Sequence, residues 1–367
     1  MLPADKRWKI ILKRGEPLNS LSHFQLYALL LCARCFSMMT FFPHPGENTL
    51  VFMMAVFGSV LLQALLLVPA AVMGAVLGKG SCHAAFEKSK PLGRFVTLLF
   101  LCFFLWDIFA TSGNLAYFLD RFFSSRISRI FALVCALAVA VYIGCHSSAV
   151  LGKCAGIAFA LFAVFMVVLM ASTFYQPDIT NFHLAVPGLQ SNFWNSLKAE
   201  FIRSRELAML VFLMGDVKAS RPKAAFAYLA LKLIVLEFAL GFVTLILGDF
   251  ALSTDMPIYY LSCLSNSSVI ERYDAGFMAV WTCLAVLRLA GLFHCCTRCL
   301  NLLWERIPRK LSVAIVILPA AATFGLLSLR RWGSVAYTNE SFVPIAVLVG
   351  LMPLAALIVR KRREAKP

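Results

Sequence analysis

The amino-acid sequence reads as an all-α polytopic membrane protein of ten transmembrane helices. Three observations carry that reading. Of 367 residues, 61% are apolar and only 14% charged, with a mean hydropathy of +0.82; an ordinary soluble domain has about 45–50% and about 25%. The apolar residues fall in runs of spanning length, about 20 residues for a hydrocarbon core of about 30 Å. The basic residues fall in short clusters between those runs, the pattern that orients a chain in a bilayer. Ten crossings leave only short tails and loops, so a soluble enzyme, a disordered protein and a small disulfide-stapled scaffold are excluded. The net charge of +16 comes from the flanking clusters and does not point to nucleic acid.

Nine spans follow from apolar length: 18–42, 50–77, 94–119, 127–145, 149–171, 223–250, 274–303, 311–329 and 342–359. The remaining segment, 193–217, is apolar from Leu207 to Gly215, but its first half carries Lys198, Glu200, Arg203, Arg205 and Glu206. Hydropathy alone makes it too short to cross. Charge decides otherwise: with ten spans, 22 Lys and Arg lie on the cytoplasmic side and 9 outside, whereas without a crossing at 193–217 the balance becomes 13 against 18. Only the first arrangement puts the positive excess inside. Residues 1–17, with Lys6, Arg7, Lys9, Lys13 and Arg14, lack the apolar core of a secretory signal. Both termini are therefore expected in the cytoplasm, the basic tail 360–367 included.

Ten spans divide into halves of five, 18–171 and 193–359, joined by an extracytoplasmic loop at 172–192. Transporters built from inverted repeats interrupt one helix in each half, at corresponding positions, and bind solute there. The first span of each half is the flawed one. Span 1 carries Arg34 near its middle and Pro43 and Pro45 at its outer end; span 6 has its charged half, with Gly215 near the inner end.

The stretch MPIYYLSCLSNSSVIERYDAGFMAVW, 256–281, resembles a hallmark of the spore germination permeases, the B subunits of nutrient germinant receptors. That family shows an aromatic-rich segment, an E-R-x-D step into span 8 and a Trp shortly after. Tyr259, Tyr260, Glu271, Arg272, Asp274 and Trp281 match it, and Ser22 and Gln25 resemble the family's Ser-x-x-Gln opening of span 1. The resemblance runs over nearly the whole chain. It implies the amino-acid/polyamine permease superfamily with a LeuT-like five-plus-five inverted repeat, an amino acid-like nutrient as ligand, and a larger membrane subunit and a lipoprotein as partners in a cell or inner spore membrane. Span 1 of relatives usually carries Gly near its centre and span 6 often a Pro; this chain reads CFSMMTFFP and FLMGDV. An ion-coupled amino-acid symporter is the alternative on the same fold, and a purely structural assembly subunit a third possibility.

Ionisable residues inside spans mark polar cavities or pathways by default, because insertion of each costs about 2.5–3.5 kcal/mol. Here they are Arg34, Asp107, Lys232, Glu237, Arg288 and His294. Arg34 and Asp107 have opposite sign on spans that the implied fold packs together, so they are expected as a buried pair. Depth and polarity nominate Phe36, Ser37, Asp107, Thr111, Leu210 and Thr282 as ligand-lining residues between spans 1, 3, 6 and 8. Twelve cysteines, two pairs at C-x-x-C spacing (Cys32/Cys35, Cys296/Cys299), lie mostly in apolar runs, where Cys acts as a small hydrophobe. Neither a metal site nor a disulfide framework is expected. Gly152 and Gly156 have the spacing that lets helices approach closely. No Walker A, G-x-G-x-x-G or H-E-x-x-H pattern occurs, so no cofactor and no enzymatic chemistry are expected.

Overall fold

The structure is a computed structural model that describes residues 21–40, 49–77, 90–122, 126–173, 177–182, 189–217, 222–248, 250–254, 256–265, 273–304, 309–328 and 342–364. Its long elements are helices: α1 His23–Thr40, α2 Thr49–Leu77, α3 Lys90–Phe122, α4 Arg126–Gly144, α5 Ser148–Thr173, α6 Leu189–Arg203, α7 Glu206–Leu213 and α8 Pro222–Leu247. Two short helices, α9 Phe250–Ser253 and α10 Pro257–Leu264, precede α11 Tyr273–Leu303 and α12 Arg309–Ser328; α13 Phe342–Ala346 and α14 Met352–Glu364 close the chain. Among the described residues, five helices are long and apolar enough to cross a membrane: α2, α3, α5, α8 and α11. Large apolar side chains face outward along them and along α4, among them Phe131, Val134, Tyr142, Ile157, Val164 and Val167. In water such a surface would be an interaction or aggregation patch; in lipid it is the solvated face.

Local chemistry explains the ends. Ser22 and Gln25 form a reciprocal capping box: the Ser22 N–H donates to Gln25 Oε1 (3.0 Å) and the Gln25 N–H to Ser22 Oγ (3.2 Å), so two orphan donors of α1 are satisfied at once. Pro257 opens α10, where its missing N–H costs nothing, and Asp274 sits in the first turn of α11, at the positive end of the helix dipole. Within the final helical run, Pro353 has no N–H to donate to the carbonyl of residue 349, and the preceding turn, Val347–Leu351, widens to a π-helix. Outside the spans, Asp178 Oδ1 accepts from the Thr180 hydroxyl (2.6 Å) and N–H (2.9 Å), which hold its carboxyl below the ordinary value. The Asp178 N–H and Asn181 Nδ2 both donate to Leu245 O, at 3.0 and 3.2 Å. This pins the segment after α5 onto the end of α8, where Gly248 turns with φ +50° and a Cβ would lie 2.4 Å from Asn181 Oδ1.

α11 is the central helix, packed on α1, α3, α4 and α5, while α2 packs on α6, α8 and the final span. Gly144 lets α4 approach α11: a Cβ there would lie 2.7 Å from Ala290 O. Gly152 and Gly156 both face α1, near Leu21, Gln25 and Phe24, so this small-residue spacing serves packing within the chain. Leu21 and Val217 form an isolated backbone bridge, which brings the start of α1 and the end of the 193–217 segment to the same end of the molecule. The bridge itself is parallel, but with Leu21 at Val217 and Arg34 at Glu200 the two helical segments run antiparallel.

The expectation of matching flaws in spans 1 and 6 meets two different outcomes. α1 is continuous from His23 to Thr40, straight through Arg34; Pro43 and Pro45 lie outside the described residues. The 193–217 segment is interrupted, but at Ser204–Arg205 between α6 and α7 rather than at Gly215, which sits in a terminal 3₁₀ turn, Met214–Asp216. Around the break the bonds tighten to i→i−3: Ser204 N–H to Phe201 O (3.1 Å), Leu207 N–H to Ser204 O (3.2 Å) and Ala208 N–H to Arg205 O (3.1 Å). The Ser204 hydroxyl also donates to Glu200 O (2.9 Å), a back-bond that bends helices. No Gly or Pro is needed.

Candidate functional site: the charged break between α6 and α7

Two charged clusters flank the break, one on each side. The first holds Arg34 (α1), Gln63 (α2), Glu200 and Ser204 (at the end of α6), Glu206 (α7), and Tyr228 and Lys232 (α8), all buried except for traces of surface. Arg34 grips Glu200 with two nitrogens, Nε to Oε1 at 3.3 Å and Nη2 to Oε2, the forked geometry that favours guanidinium over ammonium. Lys232 Nζ reaches Ser204 Oγ (2.7 Å), Glu206 Oε1 (2.8 Å) and Gln63 Oε1 (2.9 Å). The Gln63 amide donates to Ser59 Oγ and Ser204 Oγ, both at 3.0 Å, and the Tyr228 hydroxyl to Glu206 Oε1 at 3.1 Å. Two buried atoms in this cluster have no hydrogen-bond partner among the described residues: Arg34 Nη1, a donor, and Glu206 Oε2, an acceptor. Buried polar atoms are rarely left so, and their chemistry, one cationic donor and one anionic acceptor, matches a ligand that bears a carboxylate and an ammonium.

The second cluster centres on Asp107 (α3), shared by two guanidiniums. Arg288 (α11) brings Nη2 to Oδ1 and Oδ2 at 2.9 and 3.2 Å, and Arg205, at the break itself, brings Nη1 to Oδ1 at 3.2 Å. Arg288 further donates through Nε to Thr111 Oγ1 (3.0 Å), and through Nη1 to Ala33 O (2.9 Å) and Ser37 Oγ. Thr111 Oγ1 in turn lies 3.5 Å from Asp107 Oδ1. The guanidinium of Arg205 stands 4.2 Å from the Trp106 ring and that of Arg288 5.8 Å from the Phe36 ring, so aromatic faces supply part of their solvation.

The predicted pairing of Arg34 with Asp107 is therefore corrected: Arg34 binds Glu200, and Asp107 binds Arg205 and Arg288. The reason is rotational. Each predicted partner lies on a suitable span, but its side chain points to a different neighbour, and sequence position does not fix that angle. Four of the nominated residues, Phe36, Ser37, Asp107 and Thr111, do converge, around Arg288. Leu210 is buried among apolar side chains of α7, and the half-buried Thr282 hydroxyl donates to Met278 O of its own helix (2.8 Å); neither joins the clusters. Trp281 is fully buried, stacked on Phe118 (3.6 Å between ring centroids), with its indole N–H donating to Thr40 Oγ1 at 2.9 Å. Tyr259 meets Phe277 at 5.5 Å and Tyr260 meets Phe250 at 5.7 Å. Of the E-R-x-D motif, Asp274 is described and Glu271 and Arg272 lie outside the described residues.

Gln63 and Tyr228 escaped the sequence reading because a single amide and a single phenol in apolar runs look ordinary. Glu200 and Glu206 were visible but read as an outer, charged half-span. Their signal was available: two acids six apart, matched in number by two basic residues, Arg34 and Lys232, in separate spans. Among the described residues, no three His, Cys, Asp or Glu side chains gather as a metal site.

Comparison with known proteins places the fold. The structure resembles the substrate-bound, outward-open state of a Na+-coupled sialic acid symporter, with a TM-score of 0.59 and 11% sequence identity, covering 92% of this chain and 78% of the other. No protein-family model and no curated protein matches the sequence. At that identity the likeness concerns the fold alone: the chain is an all-helical membrane protein with a transporter-like arrangement.

Proposed function

We propose that this chain is a ten-span permease with five-plus-five inverted repeats, both termini cytoplasmic, that carries a small amino acid-like solute through the bilayer in an ion-coupled cycle. The observation that supports it most is the break at Ser204–Arg205, set between two fully buried charged clusters drawn from α1, α2, α3, α8 and α11. Charged and irregular backbone is tolerated at membrane depth only inside protein or beside a polar pathway. The antiparallel run of α1 against α6–α7, tied at Leu21 and Val217, fits the first spans of two inverted halves. The symporter-like fold fits the same reading. The solute's carboxylate would take the Arg34 Nη1 donor and its ammonium the Glu206 Oε2 acceptor. Arg205, Arg288 and Asp107 would line the opposite wall with Phe36, Ser37 and Thr111.

Uptake of a radiolabelled amino-acid mixture into proteoliposomes containing the purified chain tests this. Saturable uptake that falls to the level of empty vesicles in Arg34→Lys and Glu206→Gln, both still folded, is the expected result. Uptake no greater than that of empty vesicles for every amino acid would remove the transport reading.

A second reading rests on the residues of 256–281: a germinant-receptor subunit that senses the same solute, beside a larger membrane subunit and a lipoprotein, without carrying it. It requires only a ligand-shifted balance of two states. Binding of an amino acid without uptake, together with loss of nutrient germination in spores that lack the chain, would favour it.

A further inference from the structure

The geometry around Lys232 points to a further role, which rests on the permease reading: we infer that the Lys232 ammonium is the cation of the break, a tethered occupant of an oxygen cage that makes an inorganic cation unnecessary there. The cage is built by three separate elements. Gln63 Oε1 comes from α2, Ser204 Oγ from the break and Glu206 Oε1 from the first turn of α7, at 2.9, 2.7 and 2.8 Å from Nζ. Lys232 itself comes from a fourth, α8, and is 0% exposed.

Proton accounting fixes the charge of the occupant. The Ser204 hydroxyl has one proton, and it is directed to Glu200, to O at 2.9 Å with Oε1 at 3.4 Å. Ser204 Oγ is already an acceptor for Gln63 Nε2, the Gln63 oxygen carries no proton, and Glu206 Oε1 accepts from Tyr228. With Glu206 as the carboxylate, all three contacts are donated by Nζ, and only the ammonium form has three N–H donors. Charge balance agrees. Arg34 and Lys232 face Glu200 and Glu206 within one hydrogen-bonded cluster, and Arg203 and Glu237, one more of each sign, also act on Glu200, so the signs stay matched. An added cation at this cage would leave a surplus positive charge in a medium where an unpaired ion is costly. The ammonium also fastens α2 and α8 to the break and to α7, the mechanical task a bound cation performs at discontinuous segments.

The test is cation titration of the purified chain, read by thermal unfolding and by ²²Na⁺ binding, so that it is independent of uptake. For the unaltered chain, exchange of choline chloride for sodium chloride at constant ionic strength is expected to show no melting shift and no saturable ²²Na⁺ binding that Ser204→Ala or Glu206→Gln abolishes; saturable Na+ binding that either substitution abolishes, and that therefore uses the cage, overturns the inference. Lys232→Ala vacates the cage and leaves the cluster with an excess negative charge. It should melt several degrees lower, and methylammonium or Na+ should restore a saturable part of the loss. A folded Lys232→Ala chain indifferent to both cations overturns the inference. If that variant fails to fold, the double variant Lys232→Met with Glu206→Gln, which removes one charge of each sign, decides: stable and cation-indifferent supports the assignment, while saturable Na+ stabilisation overturns it. Absence of amino-acid uptake would remove the permease reading and leave the cation titration standing as a separate result.

Discussion

Helix α1 and the α6–α7 segment lie side by side and antiparallel, yet one is a continuous helix and the other is broken. Both carry buried charge, and both carry a serine that can bond back to the carbonyl four residues earlier. In α1 the Ser37 hydroxyl lies 3.5 Å from Ala33 O while its oxygen serves Arg288, and the helix runs on, as α11 does through the shorter back-bond of Thr282 to Met278 O (2.8 Å). In α6 the Ser204 hydroxyl is 2.9 Å from Glu200 O, and its oxygen accepts from Gln63 and Lys232. Here the neighbours hold the serine in the bonding position, and the ladder shortens to i→i−3. A helix break therefore does not require Gly or Pro. It requires side chains outside the helix that hold an alternative hydrogen-bond arrangement in place.

The largest effects should come from stranding a charge. Asp107→Ala removes the carboxylate shared by Arg205 and Arg288, and Glu200→Ala removes the one gripped by Arg34. Each should cost about 3–5 kcal/mol, measured by reversible SDS unfolding followed by circular dichroism. The pairing itself is sharpened by exchange. Arg34→Glu combined with Glu200→Arg should recover part of the single losses, whereas Arg34→Asp combined with Asp107→Arg should recover none; the opposite pattern would restore the pairing first expected from sequence.

Smaller effects separate the two serines. Ser204→Ala removes an acceptor used by both Lys232 and Gln63, and should cost about 1–3 kcal/mol. Ser37→Ala removes one of several Arg288 acceptors, and should cost about 0.5–1.5 kcal/mol. Equal losses from the two would break the comparison between α1 and α6. Outside the clusters, Gly144→Ala drives a Cβ to within 2.7 Å of the Ala290 carbonyl and 2.8 Å of Phe293 Cβ, and overpacking of this kind costs about 1–3 kcal/mol. Gly291→Ala meets the flexible end of Met209 at 2.5 Å and Leu29 Cδ1 at an ordinary 3.4 Å, and should cost less.

What the sequence made legible divides along the same physical line. Helix positions were readable because apolar length and flanking charge are local properties: the predicted 94–119, 149–171 and 274–303 fall inside α3, α5 and α11. The Ser-x-x-Gln at 22–25 entered the sequence reading only as a resemblance; in the structure it is a capping box, a local motif that the spacing alone could have given. The convergence of Phe36, Ser37, Asp107 and Thr111 followed from depth, since all four sit near mid-span. Partner choice was not readable. Whether Arg34 meets Asp107 or Glu200 depends on rotation about two helix axes, and a rotation of one residue, about 100°, changes the neighbour without changing depth. Glu200 was also discounted because hydropathy averages around the helix and treats a charged buried face like a charged exposed one.

The central claim is that the charged segment 193–217 crosses the membrane as two half-helices, which fixes the side of everything after it. Single cysteines substituted for Ala185 and Ala365, each in a chain freed of reactive native cysteines, can be labelled in intact cells with an impermeant maleimide. Labelling at 185 and protection at 365 until the cells are permeabilised is the predicted result. Labelling at 365 in intact cells, or protection at 185, would contradict the crossing and with it the ten-span account.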